Sequence, residues 1–164
     1  MIEFRYSMQS QSLEPAIDSL REAASDPRGA LEEVAADFRQ MMTRQFETEG
    51  RAEPAAAGWP PLSASTASRK KPRSGLLVSS GALARSLAEP GAQGAVEIRD
   101  ARSLTLGTRL PYAAFHQFGT RRMPARPLIV LSAARAAKWT EIVRRGIERA
   151  TVLGAEELGG GKTK

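Results

Sequence analysis

Polarity alternates over the first seven residues, with Ile2, Phe4 and Tyr6 set against Glu3, Arg5 and Ser7. That two-residue period predicts a strand with one buried face. Ser12 then offers a helix cap, Pro15 is tolerated in a first turn, and Leu13, Ile17 and Leu20 follow at helical spacing. A short helix over 13–24 is expected. Asp26-Pro27 is a second start signal, a capping side chain ahead of proline at the first helical position. Behind it Leu31, Val34, Phe38, Met41, Met42, Gln45 and Phe46 recur at three or four residues, while Glu32, Glu33, Asp37, Arg39 and Arg44 fall elsewhere. This is an amphipathic helix over 28–48, and its methionine pair reads as adaptable core packing.

From Gly50 to Gly75 the period is lost. TEGRAEPAAAGWPPLSASTASRKKPRSG is rich in Pro, Ala, Ser and charge, and a segment of that length without regular structure is usually functional or disordered. It is expected to be an extended arm over 50–75. Its one large anchor is Trp59, between Gly58 and Pro60. Either Trp59 folds back on its own domain, or it docks with Leu62 on a neighbouring subunit, where tryptophan is over-represented among hot spots.

LLVSSGALARSL carries a cap at Ser80 and a short helix with Leu83 and Leu87 on one side. Next, Val96 and Ile98 alternate, RDARS turns, and Leu104 and Leu106 alternate again, as in a hairpin. PYAAFHQFG brings Tyr112, Phe115, His116 and Phe118 together on a short helix that Gly119 stops. Pro124 and Pro127 stiffen the following turn, and the residues before them are biased towards extended backbone. Leu128 to Leu131 read as a strand, and a proline-bounded corner of this kind is suited to packing its aromatics under it. Ser132 caps a last helix with Trp139, Ile142, Val143 and Ile147 on its stripe and Arg135, Lys138, Arg144, Arg145 and Arg149 mostly off it. The glycine-rich end, 154–164, lacks packing groups and is expected to be a flexible tail.

The fold class expected is α+β. An antiparallel sheet of about four strands, from 1–7, 95–99, 103–108 and 127–131, is packed by helices near 28–48 and 133–150. At 164 residues the chain makes one domain, expected over 1–153, and it contains no internal repeat. There are no cysteines, which excludes disulfides, thiolate zinc sites and a cysteine nucleophile. No stretch nears the length of a membrane span, and Glu3 and Arg5 interrupt any apolar signal core, so no membrane partner is expected.

The formal net charge is +6. A basic nucleic-acid-binding protein is therefore the alternative reading, its affinity falling steeply with salt. The basic residues are nevertheless scattered, and aromatics do not interleave with them as a base-stacking surface requires. Catalysis finds no constellation. His116 is the only histidine, so one chain cannot form a two-histidine metal site, and no G-x-S-x-G elbow announces a nucleophile for it. The terminal GGGKT lacks the leading glycine of a phosphate loop, because Glu156 stands there. Ser68 and Lys71 match S-x-x-K in a polar loop without its companion motifs. No enzyme activity and no cofactor are expected.

Several segments in order resemble the phage virion morphogenesis family: GWPPL, Thr66 with Lys70-Lys71, the Ser80-Gly81-x-Leu83 turn, Tyr112 to Gly119 with His116-Gln117-Phe118-Gly119, and Pro124 to Pro127. The matching stretches fall between roughly 58 and 132. That family more often has Thr-Gly at Ser80-Gly81 and often an acidic residue where Arg135 stands. The resemblance implies a structural, non-enzymatic phage protein of the head–tail neck. It would assemble as a homo-oligomeric ring in the host cytoplasm, contact neighbouring neck, connector or tail proteins, and pass DNA without sequence-specific binding. Subunit contacts would then involve Trp59, Pro60, Leu62, Thr66, Lys70, Lys71, Arg121, Arg122 and Arg126. The arginines can reach backbone carbonyls or a neighbour's carboxylates. The corner itself would be built by Ser80, Gly81, Leu83, Tyr112, His116, Gln117, Phe118, Gly119, Pro124 and Pro127.

Overall fold

A computed structural model describes residues 2–6, 27–53, 56–70 and 75–159, with side chains described between 27 and 149. The helix expected over 13–24 lies outside the described residues, as do Lys71 and residues 160–164. The elements are β1 (Ile2–Tyr6), α1 (Arg28–Glu47), α2 (Ala64–Ala67), α3 (Ala82–Ala88), β2 (Ala95–Arg99), β3 (Leu104–Thr108), α4 (Ala113–Phe118) and α5 (Ala133–Gly159). The fold is mixed α+β.

The long stripe of α1 is the centre of the core. Leu31, Val34, Phe38, Met41, Met42 and Phe46 are all buried. Its first turn closes with Leu31 N–H donating to Pro27 O at 2.8 Å. Against it lies α5, through Trp139, Ile142 and Val143. The two helices cross closely at Gly146, where a Cβ would stand 2.6 Å from the Cβ of Ala30. Glycine is what lets the backbones approach there. Helix α5 runs on past the expected end at 150 to Gly159, so the first residues of the expected tail are helical.

The sheet is antiparallel in the order β1-β3-β2. Phe4 faces Leu106 across one ladder and Val96 faces Gly107 across the other. β3, central and buried along its whole length, brings Leu104 and Leu106 down onto α1 and α5. An apolar cavity of about 30 Å³ remains between Leu31, Val34, Phe38, Leu104, Leu106, Trp139 and Val143. Helix α3 packs on the hairpin, and Ser86 Oγ meets Thr108 Oγ1 at 2.9 Å in the buried seam.

Two expectations are corrected. Residues 127–131 form no strand, so among the described residues the sheet has three strands and not four. Pro127 has no N–H to give a ladder, and the next two N–H groups are taken by a side chain: Gln117 Oε1 accepts from Leu128 N at 2.8 Å and Ile129 N at 3.0 Å. The 50–75 arm is not extended throughout either. One helical turn, α2, interrupts it, and Ser63 O accepts from Thr66 and Ala67 N–H.

Candidate functional site

The arm folds back on its own domain at Trp59. The chain leaves α1 through Glu49 and Gly50, both with positive φ (51° and 90°). Trp59 N–H then donates to Glu49 O at 2.7 Å, so the loop closes on itself. A Cβ at Gly50 would lie 2.5 Å from the indole, which glycine avoids. The ring is 6% exposed and stands edge-on to Phe46, centroids 5.4 Å apart. Its Nε1–H donates to Pro127 O at 2.8 Å, and Gln45 Nε2 donates to the same carbonyl at 3.1 Å. Of the two readings kept for Trp59, the intramolecular anchor is the one in the structure.

Arg126 completes the tie. It is 4% exposed, and its Nε and Nη2 donate to Pro60 O and Pro61 O, each at 2.8 Å. Lys70 Nζ donates to Leu76 O at 2.7 Å and also to Gly75 O. Thr66 Oγ1 pairs with Ser63 Oγ inside the arm. Arm and corner are thus joined mainly by side chains holding backbone carbonyls, bonds that do not themselves neutralise the cationic charges.

The corner is α4 and its sequel. Gly119 caps α4 at φ 73°, and a Cβ there would lie 2.8 Å from Ala125 N and 3.0 Å from Met123 O. Only glycine fits. Arg126 N–H donates to His116 O at 2.7 Å, folding the turn back on the helix. Gln117 ties the other side: besides its two accepted bonds, its Nε2 donates to Ile129 O at 3.0 Å. At the neighbouring turn Ser80 Oγ accepts from Ala82 N–H, Gly81 takes φ 78°, and Leu83 is buried.

His116 shows no catalytic arrangement. Its Nδ1 is buried and has no hydrogen-bond partner among the described residues, so no carboxylate there orients the ring. Burial, and then the positive charge of Arg126, hold its pKa below the ordinary 6.5. The imidazole is neutral at pH 7 and packs edge-on against Tyr112 at 6.1 Å. Among the described residues no three His, Cys, Asp or Glu stand together to hold a metal ion.

Between arm and corner runs a groove of about 580 Å³. Leu62, Thr66, Lys70, His116, Arg122, Pro124 and Arg126, all singled out in the sequence, line it together with Arg69, Leu77 and Met123. Burial leads the lowering of the Lys70 pKa, opposed by Glu49 and reinforced by Arg126. Outside the groove, Tyr112, Phe115 and Phe118 are 39%, 56% and 74% exposed. Spaced by three residues, they share one side of the α4 region. Phe115 and Phe118, expected to pack under a fourth strand, instead face outward; among the described residues that strand does not form, and Gln117 bonds the backbone of 128–129. Arg121 and Arg122 are exposed beside them, with no side-chain partner among the described residues.

A comparison with protein-family models matches residues 8–148 to the phage virion morphogenesis family. The chain belongs to that family. It is a structural phage protein. No curated protein and no solved structure matches significantly. The matched span takes in the arm, the groove and the corner, and no helix among the described residues is long and apolar enough to cross a membrane.

This phage protein also holds a buried ionic network that its sequence did not disclose. Asp37, placed on the polar side of α1 by its spacing, is 8% exposed. Its Oδ2 accepts from Arg135 Nη1 at 2.8 Å and Trp139 Nε1 at 2.7 Å, and its Oδ1 accepts from Lys138. Arg135 also donates through Nε to Glu53 Oε1 at 2.9 Å, and Ser132 Oγ donates to the other oxygen of Glu53. Burial raises the Asp37 pKa, and the bonds from Lys138, Trp139 and Arg135 outweigh it, leaving a net depression below 3.8. Arg135 is therefore the pin between α1, the arm and α5. A hint was present: Asp37 falls one residue from Phe38, next to the stripe.

Proposed function

We propose that this phage protein is a subunit of a homo-oligomeric ring at the head–tail neck, assembled in the host cytoplasm, that completes the tail or joins it to the capsid. Its partners are further copies of itself and adjoining neck, connector or tail proteins, and DNA passes through without sequence-specific contact. The observation that carries this reading is the outward aromatic row Tyr112, Phe115 and Phe118. A chain with only five Phe, two Tyr and two Trp leaves three of them in water on one short element. Exposed apolar patches of this kind mark interaction sites. Arg121 and Arg122 beside the row offer charge-assisted bonds to a neighbour's carboxylates, with Leu62, Thr66, Lys70 and Lys71 on the arm as further contacts. Trp59, Pro60 and Arg126 shape this surface from within.

The test is a phage carrying Phe115→Ser and Phe118→Ser together, with the particles imaged by electron microscopy. Both side chains are exposed, so the purified variant is expected to keep the parent melting temperature. Tails lacking completion, or heads and tails left unjoined, are the expected outcome. Normal yields of joined, infectious particles would refute the reading, as would an image locating the chain outside the neck.

A further inference from the structure

We propose that the groove between arm and corner receives an acidic, partly apolar segment of a neighbouring virion protein, its carboxylates meeting Arg122, Arg69 and Lys70. Its apolar side chains would seat on Leu62, Leu77 and Met123.

The charge distribution is the first argument. Several basic residues elsewhere are matched by carboxylates: Arg39 by Glu97, Arg135 by Asp37 and Glu53, Arg144 by Glu141. The groove differs. Arg69, Lys70, Arg122 and Arg126 line it, and among the described residues no Asp or Glu does. Lys70 and Arg126 are bonded to the carbonyls of Leu76, Pro60 and Pro61, and Arg69 to Ser65 O. A carbonyl satisfies a donor without cancelling its charge, and Glu49, whose carboxylate acts on Lys70, is outside the lining, so a net positive field remains in this concave space. An arriving carboxylate would gain charge-assisted bonds there.

The lining decides between two kinds of anionic partner. Leucines, a methionine and a proline form much of the wall, and a phosphate backbone has no apolar groups to cover them. His116 is the lone ring in the lining, already engaged edge-on with Tyr112, which leaves no platform for stacking bases. Arg126 is buried and tied down. A peptide with glutamates or aspartates among leucine-like residues satisfies both the field and the wall. That the partner is a virion protein rests on the assembly reading above, whereas the groove's preference for such a segment does not.

The full-length chain is titrated into a labelled peptide alternating glutamate and leucine, its glutamine–leucine counterpart, and a labelled DNA duplex, with fluorescence anisotropy as readout. The acidic peptide is expected to bind about tenfold tighter than the glutamine one, the order of one charge-assisted bond. The Arg122 side chain is exposed and has no partner among the described residues, so Arg122→Glu should fold normally and weaken acidic-peptide binding by about tenfold or more. Arg109→Glu, the same charge change outside the groove lining, should leave binding within about twofold. Equal binding of the two peptides would overturn the proposal, as would an Arg122→Glu variant that binds like the parent. DNA binding that depends on Arg122 and exceeds that of the acidic peptide would overturn it in favour of a polyanion site. A chain that binds the peptide but is never found in a ring keeps this inference and loses only the assembly reading.

Discussion

Replacing Trp59 separates a residue that holds its own chain together from one that waits for a neighbour. The indole is 6% exposed. A buried Trp removes about 150–250 Å² from water, which at about 25 cal/mol per Å² is about 4–6 kcal/mol as an upper figure. Trp59→Ala keeps the Cβ and allows some collapse of the site, so a loss of about 3–5 kcal/mol is expected. Trp59→Phe keeps most of the contact with Phe46 and loses the bond to Pro127 O. That carbonyl retains Gln45 as a donor, so the loss should be about 1 kcal/mol. Urea unfolding of the purified chain, followed by the fluorescence of Trp139, measures both. For a chain of this size the alanine variant should melt about 6–20 °C lower. If Trp59→Ala cost less than about 1 kcal/mol in isolation, the anchor would contribute nothing within the chain and the reasoning from burial would fail.

Three further outcomes follow from the geometry. Gly119→Ala should destabilise by about 3 kcal/mol or more, because positive φ and the nearby backbone of Met123 and Ala125 both resist a Cβ; Gly91→Ala, at φ 69° with open space around it, should cost only about 1 kcal/mol. Thermal melts of the pair would contradict this if the two losses were equal. Gln117→Leu removes three bonds from residues 128–129 and should cost about 2–3 kcal/mol, with amide hydrogen exchange accelerating at Leu128 and Ile129; unchanged exchange there would count against the side-chain tie. Asp37→Asn should cost about 3 kcal/mol at neutral pH. Because its folded pKa is depressed, Asp37 contributes fully above its ordinary value of 3.8, and the contribution fades as the pH falls below that value. Stability measured from pH 6 downwards should therefore converge for parent and variant at acid pH, and parallel curves would refute the assignment.

The long helices and the strand hairpin were legible because their cause is periodic, whereas the α2 turn was not foreseen and Ile98, expected to share the buried face of Val96, is exposed. Leu31 to Phe46 on α1, Val96 on β2 and Leu104 with Leu106 on β3 announce their buried faces by spacing alone. The family could be read from the corner motif, and the groove gathers seven of the singled-out arm and corner residues: Leu62, Thr66, Lys70, His116, Arg122, Pro124 and Arg126. What escaped the sequence is non-local. An apolar run such as Leu128 to Leu131 has the composition of a strand, and nothing in it reveals that Gln117 will occupy its N–H groups. Asp37 and Arg135 lie far apart in sequence, so no spacing rule joins them. Trp59 stood between two readings until the carbonyl that receives its N–H was located.

That carbonyl, Pro127 O, has a genetic consequence. Because Gln45 and Trp59 donate to it together, removing either donor leaves it served by the other. A survey of single substitutions would score each only for its own modest loss, Gln45→Leu also giving up the bond its Oε1 accepts from Ala52 N–H. Only the combination of Gln45→Leu with Trp59→Phe strips the acceptor bare, and the pair should be worse than the sum of its parts. Redundancy of this kind hides a structural essential from one-at-a-time mutagenesis.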